Sequence, residues 1–243
     1  MALLPRRAQK EVTRMAWQPP ERMNDYLKAT KLCDCDDMLL KKKANEIVDG
    51  VDNPGAGALR IFHFVRDEIL FGMDYPDVKA SHTLKKGAGF CIPKANLQMA
   101  LLRAVGIPSR CHFVHLPKEC NKPILPGFMY NRMPVAIAHP WCECYLSGQW
   151  IACEALLDEE YYAGCLKVGA ITKEEVPTID WDGKTNLIVV KPWILKDIGM
   201  FLSWDDAMLE ARKSGAALPP TNRLLGWFMS YLIDRRIKDI RKS

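Results

Sequence analysis

Apolar positions recur at helical spacing in the first half of the chain and alternate in the second. In "DDMLLKKKANEIVDG" the residues Leu39, Leu40, Ala44, Ile47 and Val48 fall on one helical side, acidic residues open the run and Gly50 lies beyond its end. A second buried helix is predicted in "NPGAGALRIFHFVRDEILFG", with Asn53 as cap, Pro54 in the first turn, and Ala58, Ile61, Phe62, Val65 and Ile69 on one face. "MDYPDVKASHTLKK" breaks the period and reads as loop. "CIPKANLQMALLRAVG" then restores it: Pro93 is tolerated only in a first turn, Ala95, Met99, Leu102 and Val105 follow at helical steps, and Gly106 and Pro108 stop the run. Cys91 is thereby predicted at a helix N-terminus.

Beyond it the period changes to two. "SRCHFVHL", "MPVAIA", "WCECYL" and "WIACEAL" are short runs rich in β-branched, aromatic or alternating residues, with "SGQ" as a tight turn between the last two. "TIDWDGKTNLIVV" carries Asp182-Gly183 between two extended runs and predicts a further hairpin on the same sheet. From about Ser203 the pattern is helical again, as "SWDDAMLEARKSG" and, after Pro219 and Pro220, as "NRLLGWFMSYLIDRRIKDIRKS". Leu225, Phe228, Leu232, Arg236 or Ile237, and Ile240 lie along one side of this last helix, whose end is basic. Such a helix can lie on a membrane surface or a partner, or join two copies of the chain; more often it packs on its own domain, its cations favoured at its C-terminal end. Helices first and strands afterwards make an α+β layout, read as a single domain over residues 1–243 with a helical extension over about 203–243.

Composition narrows the class. With 243 residues, 49% of them apolar, the chain can bury a substantial core. A net charge of +5 with mixed signs is far from the concentrated basic stripe of a nucleic-acid binder. "MALLPRRAQKEVTRMAWQPP" lacks the apolar core of a signal peptide and no run is long enough to span a membrane, so a cytoplasmic chain is expected. Nine cysteines, an odd number at irregular spacing, argue for reduced thiols rather than a disulfide framework. Most are expected to pack as small hydrophobes.

Cys91 stands apart because a thiol at a helix N-terminus faces unpaired amides and the positive end of the dipole, both of which favour thiolate. Gly87 and Gly89 before it permit tight backbone geometry and leave space for a substrate, or else only make the turn into the helix. In "AHPWCECYLSGQWIACEALLD", alternation puts His139, Trp141, Glu143 and Tyr145 on one face and Cys142 and Cys144 on the other. Across the turn, Trp150, Ala152 and Glu154 form the matching set, bringing a carboxylate back toward His139, whose tautomer it can fix. Cysteine nucleophile, histidine base and carboxylate orienter together serve covalent acyl transfer.

At these residues the chain resembles the transglutaminase-like superfamily, whose members share a papain-like fold. "ASHTLKKGAGFCIPKANLQMALLRAVGIPSR" is similar to the block in which a glycine-cysteine step opens a helix ending in "ALLRA-GIPSR". "HPWCECYLSGQWIACE" is similar to the second block: a histidine, a tryptophan two on, a glutamate, a Gly-x-Trp turn and an acid. The blocks span residues 80–110 and 139–158. The resemblance implies Cys91 as nucleophile, His139 as base and Glu154 in the place usually held by aspartate, with Asp158 as the alternative third member. A solvated Glu154 in a degenerate triad is the opposing reading. The resemblance also implies an oxyanion donor in the backbone N–H of Cys91, with His82, Lys86 and Trp141 as candidates for a second.

Other chemistry is weaker. Cys111, His112, His115 and Cys120 are close in sequence, and "CEC" and "CDC" each pair two thiols, but a strand points His112 and His115 to opposite faces, so core packing is preferred over zinc. "GAGALR" lacks the preceding strand and the Lys-Ser/Thr ending of a phosphate loop. Lys41, Lys42 and Lys43 read as a solvated face. The expectation is a cofactor-independent cysteine enzyme acting on an amide or related acyl bond of a small molecule or peptide. The alternatives are transfer to an amine and, in another class, an inactive binding or scaffold module. The loop "PKECNKPILPGFMYNRMP" before His139 is expected to shape specificity.

Overall fold

The computed structural model describes residues 21–219 and 222–243. The leader reading of residues 1–20 and the break at Pro220 lie outside these. After a 3₁₀ turn at Glu21–Leu27, α1 (Met38–Ile47) begins at Asp37, whose carboxylate accepts from the amides of Leu39 and Leu40. α2 (Pro54–His63) starts on Asn53, whose side chain accepts from the Ala56 amide, and runs on as a π-type turn through Glu68. Ala58, Ile61, Phe62, Val65 and Ile69 are buried, as their spacing requires.

The segment read as loop after Phe71 contains a helix. β1 (Leu70–Phe71) is followed by α3 (Ala80–Lys86) and β2 (Ala88–Gly89), and β1 and β2 pair in parallel. The cap of α3 comes from far away in sequence: Asp34 accepts from both the amide and the hydroxyl of Ser81, while Lys79, in the capping position, offers no side-chain bond. Local signals therefore miss it.

α4 (Cys91–Ala104) is the central helix. Every residue from Ile92 to Arg103 is buried, so the helix has no polar face to read. Its polar side chains are satisfied by backbone carbonyls of the surrounding loops. Lys94 donates to Arg66 and Ile69, Asn96 to Leu32, Gln98 to Cys153, and Arg103 to Lys28, Ser109 and Leu202. Burial of such groups is tolerated because these bonds replace water, although Oδ1 of Asn96 and Nε of Arg103 are buried without a partner.

The antiparallel sheet follows, in the order β5-β4-β3-β6. β3 (Ser109–Pro117) leads through the short helix α5 (Gly127–Tyr130) to β4 (Ala136–Leu146). β4 absorbs both "AIA" and "WCECYL" in one strand despite Pro140. The Cys142 carbonyl accepts from Cys153, so residues of that parity, Pro140 included, point toward the β5 side. β5 (Gln149–Ala152) pairs no further than Glu143, so the missing amide of Pro140 falls where no ladder partner is needed. The turn is two residues long, with Ser147 and Gly148 both at positive φ, 50° and 88°, the twist a tight hairpin favours.

After α6 (Glu159–Lys167) the Asp182-Gly183 hairpin does not form. Asp182 instead accepts from the amides of Lys184 and Thr185 in a local turn, and Leu187 makes a single parallel bridge to Cys153. The same turn chemistry serves loops and hairpins alike, and here the flanks dock beside β5 rather than on each other. The fourth strand is β6 (Lys196–Phe201), paired with β3. α7 (Trp204–Lys213) starts on the Ser203 hydroxyl, and α8 (Arg223–Lys242) packs on α6. The buried side of α8 is Gly226, Ile233, Ile237 and Ile240; Phe228, expected there, is exposed with Trp227 and Tyr231, and the side chain of Leu225 lies outside the described residues. The layout is α+β, a curled antiparallel sheet packed against helices. Among the described residues no helix is long and apolar enough to cross a membrane.

Candidate active site

Sheet register delivers the histidine and the carboxylate. Glu143 pairs with Ala152 and Tyr145 with Trp150, which carries the shared face down to His139 on β4 and Glu154 just past β5. There the Nε2 atom of His139 lies 2.7 Å from Oε1 of Glu154, and both side chains are buried. Glu154 is not a solvated strand residue. Its second oxygen accepts from the amides of Val189 and Val190, so the segment after the Asp182 turn holds the carboxylate in place. These two amides carry no sequence signature and were not anticipated.

Cys91 approaches from the other side. It is half-buried at the first turn of α4, lines the same cleft as His139, and lies near enough to the ring to raise its basicity. With Nε2 engaged by Glu154, Nδ1 is the nitrogen left for the sulfur. Burial by itself lowers the His139 value, but the sulfur of Cys91 and the carboxylate of Glu154 overcome it and push the imidazole up to about 10.

The two glycines before Cys91 act differently. Gly87 closes α3 at a φ of 68°. Gly89 has no room for a side chain, since a Cβ there would meet the Cβ of Pro93 at 2.9 Å and Thr83 at 3.3 Å. It is a packing contact under the start of α4, not open space for a substrate. Through the pairing of Phe71 with Gly89, it also brings Phe71 beside the thiol.

Asp158 is employed elsewhere. It caps α6 by accepting from Tyr161, accepts from the Phe71 amide, and pairs with Arg241 of α8 at 2.6 Å. Burial opposes its ionisation, yet Arg241 and the two amides hold it below the usual carboxylate range. It is therefore bonded to the cleft wall rather than to His139. The side-chain candidates for a second oxyanion donor are also committed: His82 and Lys86 face Asp74 at 3.2 Å and 3.1 Å, and the Trp141 indole points to Glu143. The free amides at this point are the first ones of α4, since Pro93 has none and Lys94 already donates to the Phe90 carbonyl.

Cys91 and His139 open on a cleft of about 230 Å³ walled by Phe71, Ile124, Leu156, Tyr161, Val190 and Trp193 among others. Phe71 and Tyr161 stack, with centroids 4.9 Å apart. Two further thiols, Cys120 and Cys165, reach the same cleft, each pushed up to about 11, chiefly by burial. A larger groove of about 400 Å³ lies between α8 and the loop around α5, away from Cys91.

The histidines and cysteines weighed as zinc ligands disperse. Cys111 is buried, His112 lies between Glu143 and Asp197, His115 bonds Ser214, and Cys120 faces the cleft. Among the described residues no group of three or more histidine, cysteine or acidic side chains is set to hold a metal ion.

Residues 41–155, which contain Cys91, His139 and Glu154, match the family described as the transglutaminase-like superfamily. These residues are similar to a transglutaminase-like core. No curated protein sequence matches it. Among solved structures, a "putative cysteine protease" from Cytophaga hutchinsonii is similar over 78% of this chain and 50% of its own, with 20% identity and a TM-score of 0.51. This is a likeness of fold, and the chain spans about half the length of that relative. A "putative protease" from Parabacteroides distasonis is 14% identical over 54% of this chain and 25% of its own, with a TM-score of 0.36. Red sea bream transglutaminase is 14% identical over 55% of this chain and 26% of its own, with a TM-score of 0.33.

Proposed function

We propose that the protein is a cysteine-dependent acyl-transfer enzyme that hydrolyses an amide or related acyl bond through a thioester, with Cys91 as nucleophile, His139 as acid and base, and Glu154 as orienter. The observation that supports this best is the buried Glu154–His139 bond of 2.7 Å, with Cys91 and His139 lining one cleft. Glu154, fixed by two amides, accepts from Nε2–H and turns Nδ1 to the sulfur. The imidazole takes up the proton of the Cys91 sulfur, and Glu154 offsets the charge it gains. The sulfur attacks the carbonyl carbon, and the first amides of α4 meet the charge that develops on its oxygen. His139 protonates the leaving amine or alcohol, leaving a thioester. It then takes a proton from water as that water attacks, and acid and thiolate are released.

Selective alkylation tests the reading. Iodoacetamide at pH 7, followed by peptide mass analysis, is expected to modify Cys91 well ahead of Cys120 and Cys165, and His139→Gln is expected to slow it at least tenfold. A Cys91 that reacts no faster than an ordinary exposed thiol, with a rate indifferent to His139, overturns the enzyme reading.

A further inference from the structure

The walls of the cleft say what kind of acyl group belongs there. Its volume is about 230 Å³, room for a small acyl group rather than a folded polypeptide. Apart from the reactive pair, the lining is aromatic or aliphatic except for the thiols of Cys120 and Cys165, Asn121, Glu119 and Glu175. No lysine or arginine lines it among the described residues. The stacked rings of Phe71 and Tyr161 form one wall, and Val189, Val190 and Trp193 belong to the segment that anchors Glu154. The apolar surface is therefore built from the elements that position the reacting groups.

Glu119 and Glu175 are the charged groups of the lining other than His139. Glu119 accepts from the Tyr130 hydroxyl at 3.1 Å, and Glu175 from the Thr172 amide at 2.9 Å. Neither is ion-paired among the described residues. Both carboxylates help raise the thiol of Cys120, which lines the same cleft.

We propose that the cleft takes the acyl side of an uncharged donor with a branched aliphatic or aromatic side chain, and that Glu119 and Glu175 turn away anionic donors. The inference rests on the acyl-transfer reading above. Specificity arises because apolar groups entering the cleft leave water for an apolar wall, whereas an anion would lose hydration and meet two like charges, with no lysine or arginine among the described residues of the lining to offset them and His139 already paired with Glu154.

A series of p-nitrophenyl esters tests this with the full chain. In each turnover the S–C bond forms as the C–O bond breaks, p-nitrophenolate leaves with the electron pair, and water returns the carboxylic acid and the thiol. Across acetyl, butanoyl, 3-methylbutanoyl and phenylacetyl esters, kcat/KM is expected to rise roughly fourfold per buried methylene until the cleft is full. The succinyl monoester, anionic but close in length to butanoyl, is expected to be at least tenfold slower. The double variant Glu119→Gln/Glu175→Gln is expected to narrow that gap, and Ala170→Leu, which fills part of the cleft, to shift the optimum to shorter chains. Intact-protein mass separates the two levels of inference. If no ester acylates Cys91, the nucleophile reading fails and this proposal with it. If esters acylate Cys91 but acetyl matches phenylacetyl, the apolar-cleft proposal alone is overturned. A succinyl penalty unchanged in the double variant overturns the role of the two carboxylates.

Discussion

Glu154 carries one more methylene than the aspartate expected at its position, and its anchoring by the Val189 and Val190 amides shows how that length is accommodated. The carboxylate is fixed from behind, so shortening it should separate it from the ring. Glu154→Asp is expected to reduce turnover at least tenfold, and Glu154→Gln by more, both read as kcat with an ester probe. The pH dependence of stability follows from the raised value of His139. Imidazolium stabilises the fold fully below about pH 6.5, the ordinary histidine value, and the contribution is lost as pH rises through about 10. The difference in unfolding free energy between the wild type and Glu154→Gln is therefore expected to be on the order of 3 kcal/mol at pH 6 and to shrink toward pH 10, measured by urea denaturation. Lys94 has the opposite sign: burial pushes it down to about 7, so its charge costs stability below that value and the cost fades as pH rises. Comparing variants at fixed pH keeps the two apart.

At the scale of elements, the junction of β2 and α4 decides where the nucleophile sits. Gly89→Ala must displace Pro93 or Thr83, with an expected cost of about 1–3 kcal/mol and a fall in Cys91 alkylation rate as the helix start moves. Gly87→Ala meets open space and bears only the strain of its positive φ, about 1 kcal/mol, with little change in alkylation. Thermal melts and iodoacetamide rates on the same samples separate the two. Replacement of Lys94 by Met would strand the Arg66 and Ile69 carbonyls beneath the same turn, at a cost of about 1–3 kcal/mol.

Across the whole molecule, α8 reaches back to the cleft. Arg241 near its end pairs with Asp158, which holds the Phe71 amide and the start of α6, and so sets the stacked wall of Phe71 and Tyr161. Gly164 permits this contact, since a Cβ there would collide with the Ile240 carbonyl. Arg241→Ala leaves a buried carboxylate unpaired. Its expected effect is a loss of roughly 3 kcal/mol in stability and a rise in KM for phenylacetyl esters larger than the fall in kcat, with partial rescue by Arg241→Lys. Equal loss in KM and kcat, or none, would show that α8 does not position the cleft.

What the amino-acid order determined by itself is local. The cap at Asn53, the proline in the first turn after Cys91, the alternation through His139 and Glu143, and the Ser147-Gly148 turn all act within a few residues, so helices, hairpin and the candidate pair were legible. Tertiary structure decided everything that depends on bonds between distant segments. α3 exists where Asp34 caps Ser81, β6 where β3 offers an edge, and the polar residues of α4 are buried because loops bring carbonyls to them. It also resolved the two acids, four positions apart and chemically alike: Glu154 meets His139 because Val189 and Val190 hold it there, and Asp158 does not because Arg241 and Phe71 have taken it. Spacing places a carboxylate near a histidine; only the packed chain, by giving Asp158 other partners and Glu154 its two amides, selects which one bonds to it.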